Sequence, residues 1–199
     1  MVKTHRDTIS VNDCQVLAHY QFEADQYIIT LESKEIADST RPGQFVHLSV
    51  SGMLAMRRPI SVMSVDADNG TFDLLYKIVG EGTKQLADRK IGDVLSVIGP
   101  IGNGFELTDR KIPLLIGGGV GMPPMIAIAQ KIKDNAYYNP YVILGSEVPF
   151  PFEASQSSLS GFNSSSFHTM PLLEEWRVPC GLASLQDYEG VYKGYVTDL

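Results

Sequence analysis

The segment between Ile112 and Gly145 limits the possible folds more than any other part of this sequence. It begins with a continuous apolar run, Ile112–Ile116, which ends in three consecutive glycines. Residues with high helix propensity follow over Met125–Ile132, and a second apolar run follows at Tyr141–Gly145. Strand, glycine-rich turn, helix and strand in this order predict a βαβ unit, in which the two strands lie parallel in one sheet.

The sequence before Lys111 follows a different pattern, in which short runs mix β-branched and aromatic residues with polar ones. Clusters of Gly, Pro, Asp or Ser separate most of these runs. Three examples are Gln26–Glu32, Gln44–Val50 and Thr71–Ile78. The pattern predicts an antiparallel barrel or sandwich.

One helix is predicted within this first region, over Gly82–Asp88, with Thr83 as a candidate N-cap. The pattern of the sequence changes between Leu107 and Lys111. We therefore predict an antiparallel β domain in residues 1–108 and an α/β domain in residues 109–199.

The remainder of the chain carries weaker signals. Residues 154–166 are rich in Ser and Asn and predict a surface loop. Pro179–Leu185 predicts a third strand of the parallel sheet, and Gly194–Leu199 resembles the opening of a helix.

Composition excludes several classes of function. Sixteen Lys and Arg residues against 23 Asp and Glu residues give a formal charge of −7, which disfavours nucleic acid as a partner. No apolar run approaches the roughly 20 residues of a membrane helix, and the N-terminus lacks the apolar core of a signal peptide. A cytoplasmic protein without a membrane partner is predicted. Its cysteines, Cys14 and Cys180, are expected to be buried thiols, and its four histidines show no metal-ligand spacing.

The run Arg57–Ser61 contains residues that are suited to a phosphorylated ligand. Pro59 biases Arg58 towards an extended conformation, so a short strand would present Arg58 and Ile60 on one face and Pro59 and Ser61 on the other. A guanidinium matches a pyrophosphate with a planar fork of donors, and a Ser hydroxyl can bond a ring nitrogen. An ordinary Arg-Pro start of an edge strand explains the same residues.

The turn Gly80–Thr83 leads into the predicted helix. A glycine turn at a helix N-terminus exposes free backbone N–H groups and the positive end of the helix dipole, which together can bind phosphate. A tight turn without a ligand is also compatible with this short run. The combination of this turn with Arg58 is more informative than either feature alone.

In order along the chain, four motifs resemble the flavoprotein modules of the ferredoxin reductase superfamily. The resemblance is strongest to the family of electron-transfer subunits of type B dihydroorotate dehydrogenases, which share the Gly-Asn-Gly-Phe turn and the final Gly-Tyr-Val-Thr-Asp run. It covers nearly the whole chain. The motifs are Arg58–Ser61, Leu75–Lys77 with Gly80–Thr83, Gly99–Phe105 and Gly117–Pro124.

This resemblance implies an antiparallel FAD-binding β-barrel followed by a shortened parallel-sheet domain that binds NAD. Arg58 would pair with the flavin pyrophosphate, and Pro59, Ile60 and Ser61 would line the isoalloxazine, with Ser61 near its reactive nitrogen. Leu75, Tyr76 and Lys77 would lie along the ring and the ribityl chain. Gly82 and Thr83 would hold the phosphates.

The glycine segment after Ile116 predicts a nucleotide site independently of this resemblance. It follows a buried strand and opens a helix, so its backbone amides can approach a dinucleotide pyrophosphate at the carboxyl edge of a parallel sheet. The candidate NAD residues are Gly118, Gly119, Val120 and Gly121. Pro123 and Pro124 depart from the G-x-G-x-x-G pattern but are tolerated in a first helical turn.

The chain also departs from the family at two points. The family continues past the Val-Thr-Asp run into further strands and a cysteine-rich segment that ligates a [2Fe-2S] cluster, whereas this sequence ends at Leu199. Such a cluster usually needs four thiolates, and two cysteines do not supply them. We expect a shortened form of a longer protein, with a parallel sheet of about three strands.

The resemblance implies that FAD passes electrons from a partner dehydrogenase to NAD⁺. The partner would be the FMN-containing catalytic subunit that oxidises dihydroorotate in pyrimidine biosynthesis, within a heterotetramer. Two alternatives stay open: a subunit of a ferredoxin:NAD(P)H or sulfide-linked oxidoreductase, and a non-catalytic flavin-binding or assembly subunit. The sequence does not distinguish NADH from NADPH.

Overall fold

A computed structural model describes residues 9–50, 56–160, 162 and 167–199. The chain divides into two compact units. Of the described residues, those in 9–21 and 25–105 form the first unit, and those in 22–24 and 106–199 form the second.

The first unit is a closed barrel of six strands. Around the barrel the strands follow the order β1, β2, β5, β4, β3, β6, and each strand pair with an assigned register is antiparallel. Of the barrel and sandwich predicted from the sequence, the barrel is confirmed. The strands are β1 (Ser10–Phe22), β2 (Gln26–Glu32), β3 (Phe45–Ser49), β4 (Arg58–Asp66), β5 (Thr71–Lys77) and β6 (Val94–Ile101).

Alternation along the strands builds the barrel interior. On β5, for example, Phe72, Leu74 and Tyr76 belong to the buried core, in which Phe72 is 1% exposed. Side chains two residues apart point to the same side of a strand, so the intervening positions face outward. Burial of these apolar side chains is the main favourable contribution to the stability of the barrel.

Two short helices complete this unit, whereas the sequence predicted one. Helix α1 (Lys34–Ser39) begins after Ser33, whose hydroxyl accepts the Ile36 N–H at 3.3 Å. Helix α2 (Glu81–Ala87) follows β5. A helix of six residues is too short to show a clear 3.6-residue periodicity, which explains why α1 was missed.

The second unit contains a four-stranded parallel sheet in the order β12, β11, β8, β7. The prediction of about three strands was wrong by one, because β12 has only two residues and leaves no pattern. Helix α3 (Met122–Ile132) packs on β7 and β8. The four strands are β7 (Leu114–Gly118), β8 (Tyr141–Ser146), β11 (Cys180–Ser184) and β12 (Tyr192–Lys193).

Between β8 and β11 the chain forms a small substructure. Strands β9 (Ser155–Gln156) and β10 (His168–Thr169) pair antiparallel, and helix α4 (Pro171–Glu175) follows. Among the described residues of the serine-rich segment that was predicted as a loop, only Ser155 and Gln156 lie in these elements. Residues 161 and 163–166 of that segment fall outside the described part of the chain.

The last residues cover part of the sheet. A Cβ atom on Gly145 would lie 2.3 Å from Cγ1 of Val196, and one on Gly181 would lie 2.8 Å from Cδ2 of Leu199. The two glycines therefore make room for these side chains against the strands. The segment forms a turn in which the Asp198 N–H donates to the carbonyl of Tyr195 at 3.0 Å.

In the described ranges, every helix is too short or too polar to cross a membrane.

Candidate functional site

The side chain of Arg58 lies directly against Gly82, so the structure brings together the two features that the sequence combined. A Cβ atom built on Gly82 would lie 1.7 Å from Nε and 2.4 Å from Cζ of the Arg58 guanidinium. Arg58 is the first residue of β4, and its NH1 donates to the carbonyl of Met56 at 2.8 Å. Only glycine at position 82 allows the guanidinium to approach the backbone of α2 this closely.

The N-terminus of α2 is held by its own third residue. The Thr83 hydroxyl accepts the N–H groups of Val79 (2.9 Å) and Gly80 (3.2 Å) and donates to the Gly80 carbonyl (3.0 Å). Gly80 is the N-cap, so the prediction of Thr83 as N-cap was wrong by three positions. The helix still receives its cap, because a polar side chain at N3 can reach back to the N-cap backbone.

This turn leaves backbone donors free of intrahelical bonds. The first main-chain bond of the turn runs from the Lys84 N–H to the Gly80 carbonyl at 3.0 Å. The N–H groups of Glu81, Gly82 and Thr83 precede it and have no intrahelical acceptor. A permanent cation and the positive end of a short helix thus meet at Gly82, an arrangement that attracts an anion.

Strand β4 places its predicted flavin-lining residues on two faces. Ile60 is 7% exposed and belongs to the barrel core, while Pro59 is exposed and Ser61 is half-buried. The register pairs Ser61 with Phe45 and Pro59 with His47 of β3. Burial of the Ile60 side chain leaves its main chain, and the side chains of Pro59 and Ser61, available to line a ligand on the outer face.

Strand β5 is arranged in the same way. Tyr76 is 4% exposed and stacks on Tyr27 in the core, with ring centroids 5.3 Å apart. Leu75, which is 6% exposed, and half-buried Lys77 take the alternate positions, and Leu75 lies outside the buried cluster of the barrel core. Burial raises the pKa of Tyr76 above its ordinary value, so its hydroxyl keeps its proton.

The Tyr76 hydroxyl has a partner that the sequence did not predict. It lies 2.8 Å from Nε2 of His19, whose Nδ1 lies 2.8 Å from the Arg89 carbonyl. Along the chain, His19 is 57 residues from Tyr76 and 70 residues from Arg89. No local pattern in the sequence marks the pair.

The Gly-Asn-Gly-Phe turn packs against the loop before β3. A Cβ atom on Gly43 would lie 2.5 Å from the ring of Phe105. Gln44 is 2% exposed. Its side-chain amide nitrogen donates to the Gly102 carbonyl at 2.8 Å, and its main-chain carbonyl accepts the Val62 N–H at 3.1 Å. Sequence reasoning missed Gln44, which ties this turn to β4 one residue from Ser61.

The glycine loop of the second unit contains one packing glycine and three that border open space. A Cβ atom on Gly117 would lie 2.7 Å from the Gly121 carbonyl oxygen, so this position must stay small. Gly119 has a φ of +53° and, like Gly121, has no atom within 4 Å of a built Cβ. Gly118 has only the Gly145 carbonyl oxygen, at 3.8 Å, and Val120 is 69% exposed.

Helix α3 offers few donors at its N-terminus. The Met122 N–H is bonded to the Gly119 carbonyl, and the next two residues are Pro123 and Pro124, which have no N–H. The prediction that both prolines lie in the first helical turn is confirmed. Donors for a ligand here must therefore come from the loop amides of Gly118–Gly121.

Both cysteines are buried, as predicted. Burial is the main reason that the pKa of each thiol rises to about 12, so both are protonated at neutral pH. Within the described residues, no group of three or more His, Cys, Asp or Glu side chains could hold a metal ion.

The first unit is similar to known proteins. The sequence pattern of the oxidoreductase FAD-binding domain family matches residues 13–105. Electron transfer subunits of dihydroorotate dehydrogenase B (NAD(+)) are similar in sequence. The protein from Enterococcus faecalis is 37% identical over 123 residues, which cover 60% of this chain and 47% of that protein. The one from Lysinibacillus sphaericus is 40% identical over 124 residues, covering 60% and 48%.

The chain thus spans about half the length of the relatives that it matches. Solved structures share its fold at low sequence identity. The NADH-dependent reduced ferredoxin-NADP oxidoreductase aligns with a TM-score of 0.73 and 24% identity, covering 100% of this chain and 63% of that one. The ferredoxin reductase of carbazole 1,9a-dioxygenase aligns with a TM-score of 0.72 and 19% identity, covering 96% and 56%.

Proposed function

We propose that this chain binds FAD by its diphosphate between Arg58 and the first turn of α2. The match of residues 13–105 to the oxidoreductase FAD-binding domain family supports the proposal. So do the similarity to electron transfer subunits and the ferredoxin reductase-like fold. The observation that carries the proposal is the contact of the Arg58 guanidinium with Gly82. It supports an anion site, here called the cradle, in which the Arg58 guanidinium and the N–H groups of Glu81, Gly82 and Thr83 face one anion.

The donor set of the cradle fits a diphosphate. A guanidinium offers two parallel N–H donors, and bonds from charged donors to phosphate oxygens contribute about 1.5–3 kcal/mol each. The three amides at the start of α2 add neutral donors and the helix dipole. A formal charge of −7 disfavours anions in general, so an anionic ligand needs a local positive site such as this one.

Pro59, Ser61, Leu75 and Lys77 would flank the flavin ring and ribityl chain from the outer faces of β4 and β5. Ile60 and Tyr76 would contribute through their main chains, because their side chains are in the core. Bound FAD supplies both two-electron hydride chemistry and one-electron transfer. The residues of the chain then have to hold and orient the ring, and no protein acid or base is required.

NAD(H) would bind at Gly118, Gly119, Val120 and Gly121, as the redox partner of the flavin. The relatives' description as electron transfer subunits supports a partner as well, and we propose the FMN-containing catalytic subunit of a dihydroorotate dehydrogenase, in a heterotetramer. A [2Fe-2S] cluster does not fit this chain, because two buried protonated thiols cannot supply four thiolates.

The test begins with the purified chain, reconstituted with FAD and freed of excess flavin. Retained flavin absorbance, bleached by NADH without oxygen, is the expected result. Yellow protein that NADH leaves oxidised would favour the flavin-binding subunit without turnover. Colourless protein after reconstitution would overturn the proposal.

A variant pair identifies the site. Arg58→Ala should release FAD, whereas Arg57→Ala should retain it, because Arg57 donates to the carbonyl (2.7 Å) and hydroxyl (3.0 Å) of Ser96 and has a structural partner already. Equal FAD retention in the two variants would remove Arg58 from the site.

A further inference from the structure

We propose that Gln44 is a positioning residue for the flavin ring. Its side chain fixes the loop and the turn that border Ser61, and it serves the ring half of the FAD site, whereas the cradle serves the diphosphate. The inference rests on the proposed function, since it concerns the surface on which the ring of a bound FAD would lie.

The side chain of Gln44 connects two separate stretches of the barrel. Its Oε1 accepts the Arg41 N–H at 2.7 Å, and its Nε2 donates to the Gly102 carbonyl at 2.8 Å. Gln44 is buried, and a buried amide is costly to leave unbonded. The two bonds therefore favour one arrangement of the loop at Arg41 and the turn at Gly102.

The side chain makes a bond that the main chain of Gln44 is not free to make. The register of β3 and β6 pairs Phe45 with Ile101, which places Gly102 next to Gln44. The Gln44 N–H, however, donates to the Arg41 carbonyl at 3.1 Å, within its own loop. The side-chain amide supplies the donor for Gly102 instead.

The turn Gly102–Phe105 is held at its other end as well. The Phe105 N–H donates to the Pro42 carbonyl at 2.8 Å, and a Cβ atom on Gly43 would lie 2.5 Å from the Phe105 ring. The turn therefore contacts the loop at both of its ends, through Gln44 at one and through Phe105 at the other.

The main chain of Gln44 reaches the strand that carries Ser61. Its carbonyl accepts the Val62 N–H at 3.1 Å, and that N–H belongs to the planar peptide that joins Ser61 to Val62. The next residue, Phe45, pairs directly with Ser61, and a Cβ atom on Gly102 would lie 3.0 Å from the Phe45 ring. Gln44 thus contacts the groups that set the position of Ser61 and of the aromatic residue beside it.

The cradle lies farther along the same pair of strands. Arg58 pairs with Leu48, which is four residues from Gln44, or about 13 Å at roughly 3.3 Å per residue. The bonds of Gln44 described above reach neither Arg58 nor α2. A change at Gln44 should therefore affect binding of the ring and spare binding of the diphosphate.

The experiment compares three ligands by calorimetric titration of the apo-protein. They are FAD, riboflavin, which has the ring without phosphate, and ADP, which has the diphosphate without the ring. Gln44→Met keeps the length of the side chain but loses its bonds to Arg41 and Gly102. FAD and riboflavin should each bind about three- to tenfold more weakly, the loss expected for one misplaced hydrogen bond, while ADP binds as before. The visible absorption spectrum of the bound flavin should also change, because it responds to the polar groups around the ring.

Ser64→Ala is the matched control. Ser64 lies on β4, is 5% exposed, and donates its hydroxyl proton to the Asp73 carboxylate at 2.6 Å. Both variants lose a buried hydrogen bond, so both should have a lower melting temperature. Ser64→Ala should keep all three affinities and the flavin spectrum, which is also what a merely structural role of Gln44 would predict for Gln44→Met.

Each outcome decides a different point. Unchanged riboflavin affinity in Gln44→Met, an equal loss for riboflavin and ADP, or an equal loss in Ser64→Ala would overturn the role of Gln44 while leaving FAD binding intact. Failure of the unmodified chain to bind FAD would instead overturn the proposed function.

A second variant decides if Gln44→Met does not fold, judged by circular dichroism. Gly102→Ala disturbs the same turn from its other side, because Gly102 has a φ of +92° and its Cβ would lie 3.0 Å from the Phe45 ring. The same loss of riboflavin affinity with ADP affinity retained is expected. Riboflavin affinity equal to that of the unmodified chain would overturn the inference.

Discussion

The two glycine turns of this protein follow the same plan and differ in what faces them. Gly80–Thr83 has a guanidinium against Gly82 and a first helical turn with free amides. Gly117–Gly121 also joins a strand to a helix, but two prolines remove donors from that helix, and open space surrounds Gly119 and Gly121. A strand, a glycine turn and a helix thus do not by themselves set how strongly a site holds a phosphate.

The difference matches the two kinds of ligand that we propose. A cofactor that stays bound through many turnovers needs a fixed cation and several donors. A nucleotide that must enter and leave in each cycle needs fewer. The first turn should therefore hold FAD far more tightly than the second holds NAD(H).

The largest effect is expected for Gly82→Ala. Its Cβ would occupy the position of the guanidinium, at 1.7 Å from Nε, and would push Arg58 away from the helix amides. FAD affinity should fall about 100-fold, the combined loss of a charged and a neutral donor. Because the displaced group is the flexible end of a side chain, the melting temperature should change little.

Gly80→Ala is the matched control for that variant. Gly80 has extended backbone, with φ −180°, and a built Cβ there meets no atom within 4 Å. Its FAD affinity should stay close to that of the unmodified chain in a fluorescence titration. If Gly80→Ala and Gly82→Ala lose affinity equally, the contact with Arg58 is not the reason.

Next in size is the effect of the permanent charge. Arg58→Lys keeps a cation but loses the planar fork, so FAD affinity should fall about tenfold. Titration of apo-protein by calorimetry measures the loss. A dissociation constant unchanged from the parent would mean that only net charge matters at this position.

A loss of about tenfold or less is expected for Thr83→Val, which removes the hydroxyl that accepts the Val79 and Gly80 N–H groups. Thr83→Ser retains the hydroxyl and should restore most of the affinity. Failure of Ser to rescue would indicate that the methyl group, packed in the buried part of this turn, is what matters.

The smallest effect is expected at the second turn. Gly119 has a φ of +53°, a conformation that costs Ala about 1 kcal/mol. If Gly119→Ala shifts the loop out of this conformation, the Michaelis constant for NADH, with ferricyanide as acceptor, should rise about fivefold, while FAD affinity stays unchanged. Gly117→Ala should lower the melting temperature instead, because its Cβ would meet backbone at 2.7 Å.

The same comparison shows what the sequence could predict. The proximity of Arg58 to the Gly80–Thr83 turn was suggested by combining ordered motifs, and the structure brings the two together. The βαβ unit and the β-rich first half follow from local patterns, and the structure contains both. Local signals of this kind survive because they depend on residues close together in the chain.

Features that depend on distant residues were not predictable. The burial of Ile60 and Tyr76 follows from which face of β4 and β5 turns inward once the barrel closes. The hydrogen bond between the Tyr76 hydroxyl and His19 joins residues 57 positions apart. The link from Gln44 to Gly102 spans 58 positions. Helix α1 and strand β12 were missed for a different reason, since each is too short to show a period.

The central claim is that Arg58 acts on the diphosphate of FAD, and comparison of FAD with riboflavin, which lacks phosphate, tests it most directly. Calorimetric titration of apo-protein should give a large affinity gap between the two ligands. In Arg58→Ala that gap should shrink, with FAD losing affinity and riboflavin keeping its own. An equal loss for both ligands, or no gap in the unmodified chain, would contradict the account.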